Sequence, residues 1–282
     1  MLGELSYLRH VILHALRRLL LALWPQPRQW ENTVVGKHQY WGEVRGKYFD
    51  GFGVLTRDDG FMYIGQFSVG YYHGQGTMVD EQGNEYQGDF RYNAYHGRGK
   101  LTATDGTRYE GEFRFDSMKG WGTIEDPKGD SFQGGIRNYF PFGLGIYKNR
   151  KGELYVGQMK YWRMHGFGKY RFLPAEDDDS SSSSETPQQK ESPVEWGHYV
   201  GTFSRGEFHG RGIFYWPNRI RMVGRFFRGV PHGRTMLFVP DGRKVRLRIF
   251  HGSPTGKCKV IDTRGDVQKR DAVLVFKELF GD

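Results

Sequence analysis

Cysteine is almost missing: Cys258 is the only one among 282 residues, so neither an intrachain disulfide nor a cysteine-built zinc site can form. None of the six asparagines begins an Asn-x-Ser/Thr triplet, and both absences fit a reducing, intracellular compartment. Long apolar runs are missing too. The longest uncharged one, Leu19 to Trp24, has six residues, against the roughly 20 that a membrane-spanning helix needs. Catalytic signatures are equally scarce. No Gly-x-Ser-x-Gly or His-Glu-x-x-His occurs. Gly252-Ser253-Pro254-Thr255-Gly256-Lys257-Cys258 is one residue short of a phosphate-binding loop and ends in cysteine where Ser or Thr is required. The many Gly-x-Gly pairs lack the third glycine and the following helix of a dinucleotide site. No acid, base or metal set converges, so the chain reads as a non-enzyme with no cofactor and no small-molecule substrate.

Glycine and aromatic rings are plentiful: 41 glycines and 16% Phe, Trp and Tyr. Without a collagen triplet or a low-complexity glycine run, this suggests many short strands and tight turns. Mean hydropathy is −0.68, as expected of a thin sheet with much exposed surface. The net charge of +9 is unevenly spread. Pro174 to Glu195 holds seven acids and one lysine, whereas Tyr199 to Lys259 holds thirteen Lys/Arg against Glu207 and Asp241. That imbalance points to an anionic partner.

From Tyr40 the sequence repeats every 23 residues, and a fixed period of this length signals a repeat architecture. Repeats 1 to 6 start at Tyr40, Tyr63, Tyr86, Tyr109, Phe132 and Tyr155; repeats 7 to 9 start at Tyr199, Met222 and Val245, after a 21-residue insertion. Counting the first residue as position 0, positions 0, 2 and 4 read Tyr63, Gly65, Phe67 or Tyr86, Gly88, Phe90. Positions 11, 13 and 15 read Gly74, Gly76, Met78. Alternation of period two makes half-buried strands. Asp58-Asp59-Gly60, Asp105-Gly106, Asp126-Pro127-Lys128-Gly129 and Asp241-Gly242 supply turns. Each repeat is therefore one β-hairpin. The fold expected is all-β: an elongated, open, single-layer antiparallel meander of eight or nine hairpins, about 80 Å long.

If position 4 faces 11 across the hairpin, then 2 faces 13 and 0 faces 15. The glycines would line up as a bare backbone trough with apolar walls about 13 Å apart, wide enough for a helix of about 10–12 Å. Tyr63, Phe67, Tyr86, Gly88, Phe90, Tyr109, Gly111 and Phe113 are the expected partner groove. It should fill in where Thr235, Leu247 and Cys258 replace glycines.

These units resemble the MORN (membrane occupation and recognition nexus) repeat, Tyr-x-Gly-x-Phe/Trp followed by Gly-x-Gly and a turn glycine. Tyr86-Gln87-Gly88-Asp89-Phe90 with His96-Gly97-Arg98-Gly99 and Gly106 is a close copy. The resemblance runs from Tyr40 to about Gly265. It implies an open sheet without catalytic activity of its own, and scaffold roles in ciliary, flagellar or cortical cytoskeletal assemblies. Binding of anionic phospholipids is also implied.

Outside the repeats, Glu4 to Trp24 reads as an amphipathic helix stopped by Pro25. It is read as packing on the sheet or a partner, as lying in a membrane interface, or as a mitochondrial presequence, against which Glu4 and the single serine count. Residues 1–30 form this helix and linker, 38–172 repeats 1 to 6, 173–195 an acidic, serine-rich disordered insert, 196–266 repeats 7 to 9, and 267–282 a C-terminal tail or strand. The insert is either a tolerated loop or a phosphorylatable arm that screens the basic half. Arg221, Arg225, Lys244, Arg246 and Arg248 form a basic patch for anionic lipid or acidic protein; the alternative is a solvated strand face. Nucleic acid fits the charge, but no recognised binding module is present. His73, His96, His165, His209 and His232 share position 10. Neighbouring rungs lie about 9.6 Å apart, too far to share a metal whose ligands sit about 2 Å away. The expected protein is thus a scaffold docking an amphipathic helix. It is placed in cytoplasm, cytoskeleton or cilium, with membrane-associated and mitochondrial sites as alternatives.

Overall fold

The computed structural model describes residues 30–172 and 197–281. The helix expected at Glu4 to Trp24 and the acidic stretch from Pro174 to Glu195 lie outside the described residues. Among the described residues, twenty strands form one open antiparallel sheet. The chain divides into two compact units, Met1–Thr104 with Phe113–Asp116, and Asp105–Glu112 with Ser117–Asp282.

In the first unit the strand Trp30–Val35 pairs with the first strand of repeat 1, His38–Arg45, and repeats 1 to 3 follow as consecutive hairpins. In the second unit, strands from Ser117–Glu125 to Val267–Asp271 each pair with the next in the chain. The sheet runs straight past the insertion, because Gly166–Phe172 pairs with Gly197–Phe203.

Turn chemistry fixes these hairpins. Gly60, Gly106, Gly129 and Gly242 have φ of 107°, 89°, 94° and 90°, a region open to glycine at little cost. After repeats 2, 4, 5 and 9 an Asp or Asn at position 17 caps its own turn: Asp126 Oδ1 accepts from the N–H groups of Lys128 (2.9 Å) and Asp130 (2.8 Å). Within the hairpins of repeats 2 to 9, the two turn residues both have positive φ, as in Tyr92 (51°) and Asn93 (66°), matching the twist of the flanking strands. One of the two stitches neighbouring hairpins together. Asn93 N–H donates to Tyr72 C=O at 3.1 Å, and Asn93 Oδ1 accepts from Tyr72 N–H at 2.7 Å.

The register departs from the expected one at one place. Position 2 faces 13 and 0 faces 15, as in Gly65↔Gly76 and Tyr63↔Met78, but position 4 faces 9, as in Phe67↔Tyr72. Position 11 pairs with position 4 of the following hairpin instead, Gly74↔Phe90. The ladder slips because Gly74 adopts φ of 60° and bulges out of its own hairpin. A polar side chain at position 3 fills the bulge: Gln66 Oε1 accepts from Gln75 N–H at 3.2 Å and Asp89 Oδ2 from Arg98 N–H at 2.9 Å.

At the C-terminus the sequence reading placed only a tail or strand. The strand Val267–Asp271 is present, and a helix, Ala272–Phe280, follows it. Asp271 caps its N-terminus, accepting from Val273 and Leu274 N–H at 2.9 and 3.1 Å. Gly281 closes its C-terminus with an N–H donated to Lys277 C=O. Ala272 and Val275 are buried, and Phe280 packs on Trp216 with ring centroids 4.7 Å apart.

Candidate interaction surfaces

The glycines do share one face, yet the trough expected above them is occupied. The position-0 tyrosine folds over its own glycine pair. A Cβ placed on Gly76 would lie 2.7 Å from Tyr63 Oη, and one on Gly65 would lie 2.6 Å from Gly76 Cα. Tyr63 is wholly buried. Its hydroxyl donates to Gln66 C=O at 2.7 Å, and Tyr155 Oη donates likewise to Gln158 C=O at 2.7 Å. The position-9 aromatic stacks on this ring, Tyr63 on Tyr72 at 4.1 Å and Tyr86 on Tyr95 at 3.8 Å. The position-4 phenylalanine meets it edge-on, Phe90 from Tyr63 at 5.0 Å. Tyr63, Phe67, Tyr86, Phe90 and Phe113 are therefore core, all buried, and Gly88 is closed over by Tyr86 and by the Arg98–Gly99 backbone. In repeat 4 the filling differs. Met118 Cε covers Gly111 and Gly122, and Tyr109, half-buried, lies against Tyr139 at 5.4 Å.

The expected filling-in at the C-terminal end has the same cause. Where position 0 loses its ring, at Met222 and Val245, the glycine sites grow into Thr235, Leu247 and Cys258, all buried. Volume is conserved: either a tyrosine lies over two glycines or larger side chains grow from those sites. Burial raises the pKa of these phenols; those of Tyr72, Tyr155 and Tyr199 reach about 12.

The accessible side chains stand on the opposite face. At position 12 of repeats 4, 5 and 6 stand Trp121, Leu144 and Phe167, which are 59, 63 and 62% exposed. Beside them Ile146 faces Val156 across the ladder, both exposed. The column was not found in the sequence reading, although three large apolar residues recur at one repeat position. In repeats 7, 8 and 9 the same position carries Arg211, Arg234 and Lys257, all exposed.

The expected basic patch is brought together on that face. Lys244, Arg246 and Arg248 alternate along one strand. Arg248 faces Arg234, Arg225 faces Arg211, and Arg221 lies over the Phe238 ring at 4.4 Å. The histidine column also runs along this face. The rings of His73, His96, His209 and His232 rest on aromatics of the next turn, as His96 does on Phe115 at 5.1 Å, and no group of three or more His, Cys, Asp or Glu among the described residues could hold a metal.

An open sheet of stacked, near-identical hairpins defines a β-hairpin repeat protein. More particularly, this chain is a MORN-repeat protein: the MORN repeat model matches residues 40–62, 63–85, 86–108, 109–131, 155–172 and 199–221. Repeats 5, 8 and 9, which lack the leading tyrosine, keep the hairpin fold outside those matches. No curated protein matches the sequence. Among solved structures, the TCP10 domain of Danio rerio CPAP, in complex with a peptide of Danio rerio STIL, is similar at 11% identity and a TM-score of 0.40, over 81% of this chain and 99% of that one. The SAS-4 (dCPAP) TCP domain of Drosophila melanogaster, in complex with a proline-rich motif of Ana2, is similar at 8% identity and a TM-score of 0.22, over 88% and 96%. Virginiamycin B lyase from Staphylococcus aureus follows at 12% identity and a TM-score of 0.15, over 86% and 73%.

Proposed function

We propose that the protein is a non-catalytic scaffold that docks a protein partner on the face opposite the tyrosine core. The observation that carries this reading is the column Trp121, Leu144 and Phe167. Single exposed apolar residues are ordinary, but three at the same repeat position, with Ile146 and Val156 exposed beside Leu144, concentrate apolar surface on one part of the face. Large rings at the centre of a patch supply most of the binding energy in protein interfaces. The partner segment is apolar on the side it presents, as an amphipathic helix is. A ciliary, flagellar or cortical cytoskeletal setting is part of the proposal, and imaging the protein with a C-terminal fluorescent tag tests it.

The docking test is a triple variant, Trp121→Ser, Leu144→Ser and Phe167→Ser, compared with the parent by quantitative affinity capture. Exposed substitutions shift stability by only about 0.5 kcal/mol each, so the melting midpoint should stay close to the parent value while captured partners are lost. An unchanged partner set with an intact fold would remove the reading.

A further inference from the structure

The strands from Glu207 to Asp271 carry on one face a charge of one sign. Arg211 faces Arg225, Arg234 faces Arg248, Arg246 faces Lys259, and Lys259 faces Lys269. Like charges directly opposite each other on a ladder destabilise it. Ordinary sheet faces avoid this by mixing signs, and the chain has 32 acids to do so. On this face the acids stand only at the corners: Glu207 begins its strand, and Asp271 is committed to capping the C-terminal helix. No ion pair forms at Arg211, Arg225, Arg234, Arg246 or Arg248 among the described residues. The repulsion is thus built into the free protein and is relieved by an anion from outside.

We infer that this cationic face binds an acidic, flexible polypeptide segment of a partner protein. Three features select that occupant. Sheets twist by roughly 20–25° per strand, so over the five steps from the Arg211 strand to the Lys269 strand the face turns by about 100°. A flat membrane surface meets two or three of those strands at a time, whereas a flexible chain follows the turn. Next, the side chains between the facing cations at the centre of the field are Ile213, Val223 and Met236, which pack against aliphatic side chains, while the rings of this face stand at its two edges, Tyr215 and Phe238 beside Arg221 and Phe227, His232 and Phe250 near the turns. Finally, the cations recur at about 4.8 Å across strands and about 6.6 Å along them, close to the reach of carboxylates on alternate residues of an extended peptide.

The test uses the full chain and a fluorescein-labelled peptide of about twenty residues alternating Glu and Ala, read by anisotropy at low salt. Arg234→Glu with Arg248→Glu reverses the facing pair at the centre of the field. Lys128→Glu with Arg150→Glu makes the same change in net charge at exposed turns. The expected result is at least about tenfold weaker binding for the first variant and less than about twofold for the second. Binding should also weaken steeply as salt is raised. Trp121→Ser should leave it unchanged, since this site stands apart from the apolar column. Absence of peptide binding, or equal loss in both charge variants, overturns the inference. So does tighter binding of a thymidine oligonucleotide or of phosphatidylserine vesicles through Arg234 and Arg248.

Discussion

Replacing Gly76 by alanine tests whether a tyrosine or an open trough lies above the glycines. Gly76 has no positive φ, so backbone strain does not enter. The added methyl would stand 2.7 Å from Tyr63 Oη and 2.8 Å from its Cε2 and Cζ, where comfortable carbon contacts need about 3.5–4.0 Å. The ring cannot retreat. Tyr72 stacks on it at 4.1 Å, and Phe67 and Phe90 abut it at 5.1 and 5.0 Å. It must swing out, losing burial of about 1.5–3 kcal/mol and a hydrogen bond to Gln66 C=O worth about 1 kcal/mol. Gly76→Ala should therefore cost about 2.5–4 kcal/mol, close to the roughly 3–5 kcal/mol expected for Tyr63→Ala. In the double variant the methyl enters the space the ring has left, so its cost should match Tyr63→Ala alone, a coupling equal to the cost of Gly76→Ala itself, about 2.5–4 kcal/mol. Urea midpoints followed by circular dichroism measure this, and hydrogen exchange at the Gly65 and Gly76 amides localises it within the repeat array. Two costs that add to within about 0.5 kcal/mol, or a Gly76→Ala variant as stable as the parent, would refute the filled-trough reading.

Two further outcomes follow from the same structure. Tyr155 and Tyr199 have folded pKa values of about 12, raised chiefly by burial, against about 10 when unfolded. Between these values the folded form keeps protons that the unfolded form has lost, so stability should be intact below pH 10 and fall as pH rises toward 12. Phenolate absorbance near 295 nm should accordingly appear together with loss of the β signal; complete titration near pH 10 with the sheet intact would contradict this. Asp126→Ala removes the acceptor for the Lys128 and Asp130 amides, so it should lower the urea midpoint by an amount worth about 1–2 kcal/mol. Asp126→Asn, which retains the acceptor oxygen, should restore most of it.

Much of the sheet is legible in the residues. The 23-residue period marks eight or nine hairpins, and the Gly-x-Gly spacing places position 2 opposite 13 and position 0 opposite 15. The C-terminal helix, too, has its signals in the residues. Asp271 before an apolar run and Gly281 after it are start and stop signals. The trough went wrong for a physical reason. A row of glycines reads equally as an empty floor or as space cleared for a neighbouring ring, and period-two alternation gives the face of a side chain without its rotamer. A clue lay in the repeats themselves, where loss of the leading tyrosine at Met222 and Val245 coincides with loss of glycine at Thr235, Leu247 and Cys258. The ladder slip was hidden because Gly74 looks the same in the sequence whether it continues the strand or bulges.

The sequence by itself determined a repeated antiparallel sheet, its turns and the positions that face its core, because those depend on spacing, alternation and glycine, which are local. Only the tertiary structure decided where the tyrosines turn, and so which face is closed and which is open to a partner. It also decided that cations far apart in the chain stand opposite one another, because side-chain direction and cross-strand neighbours are settled by packing between hairpins.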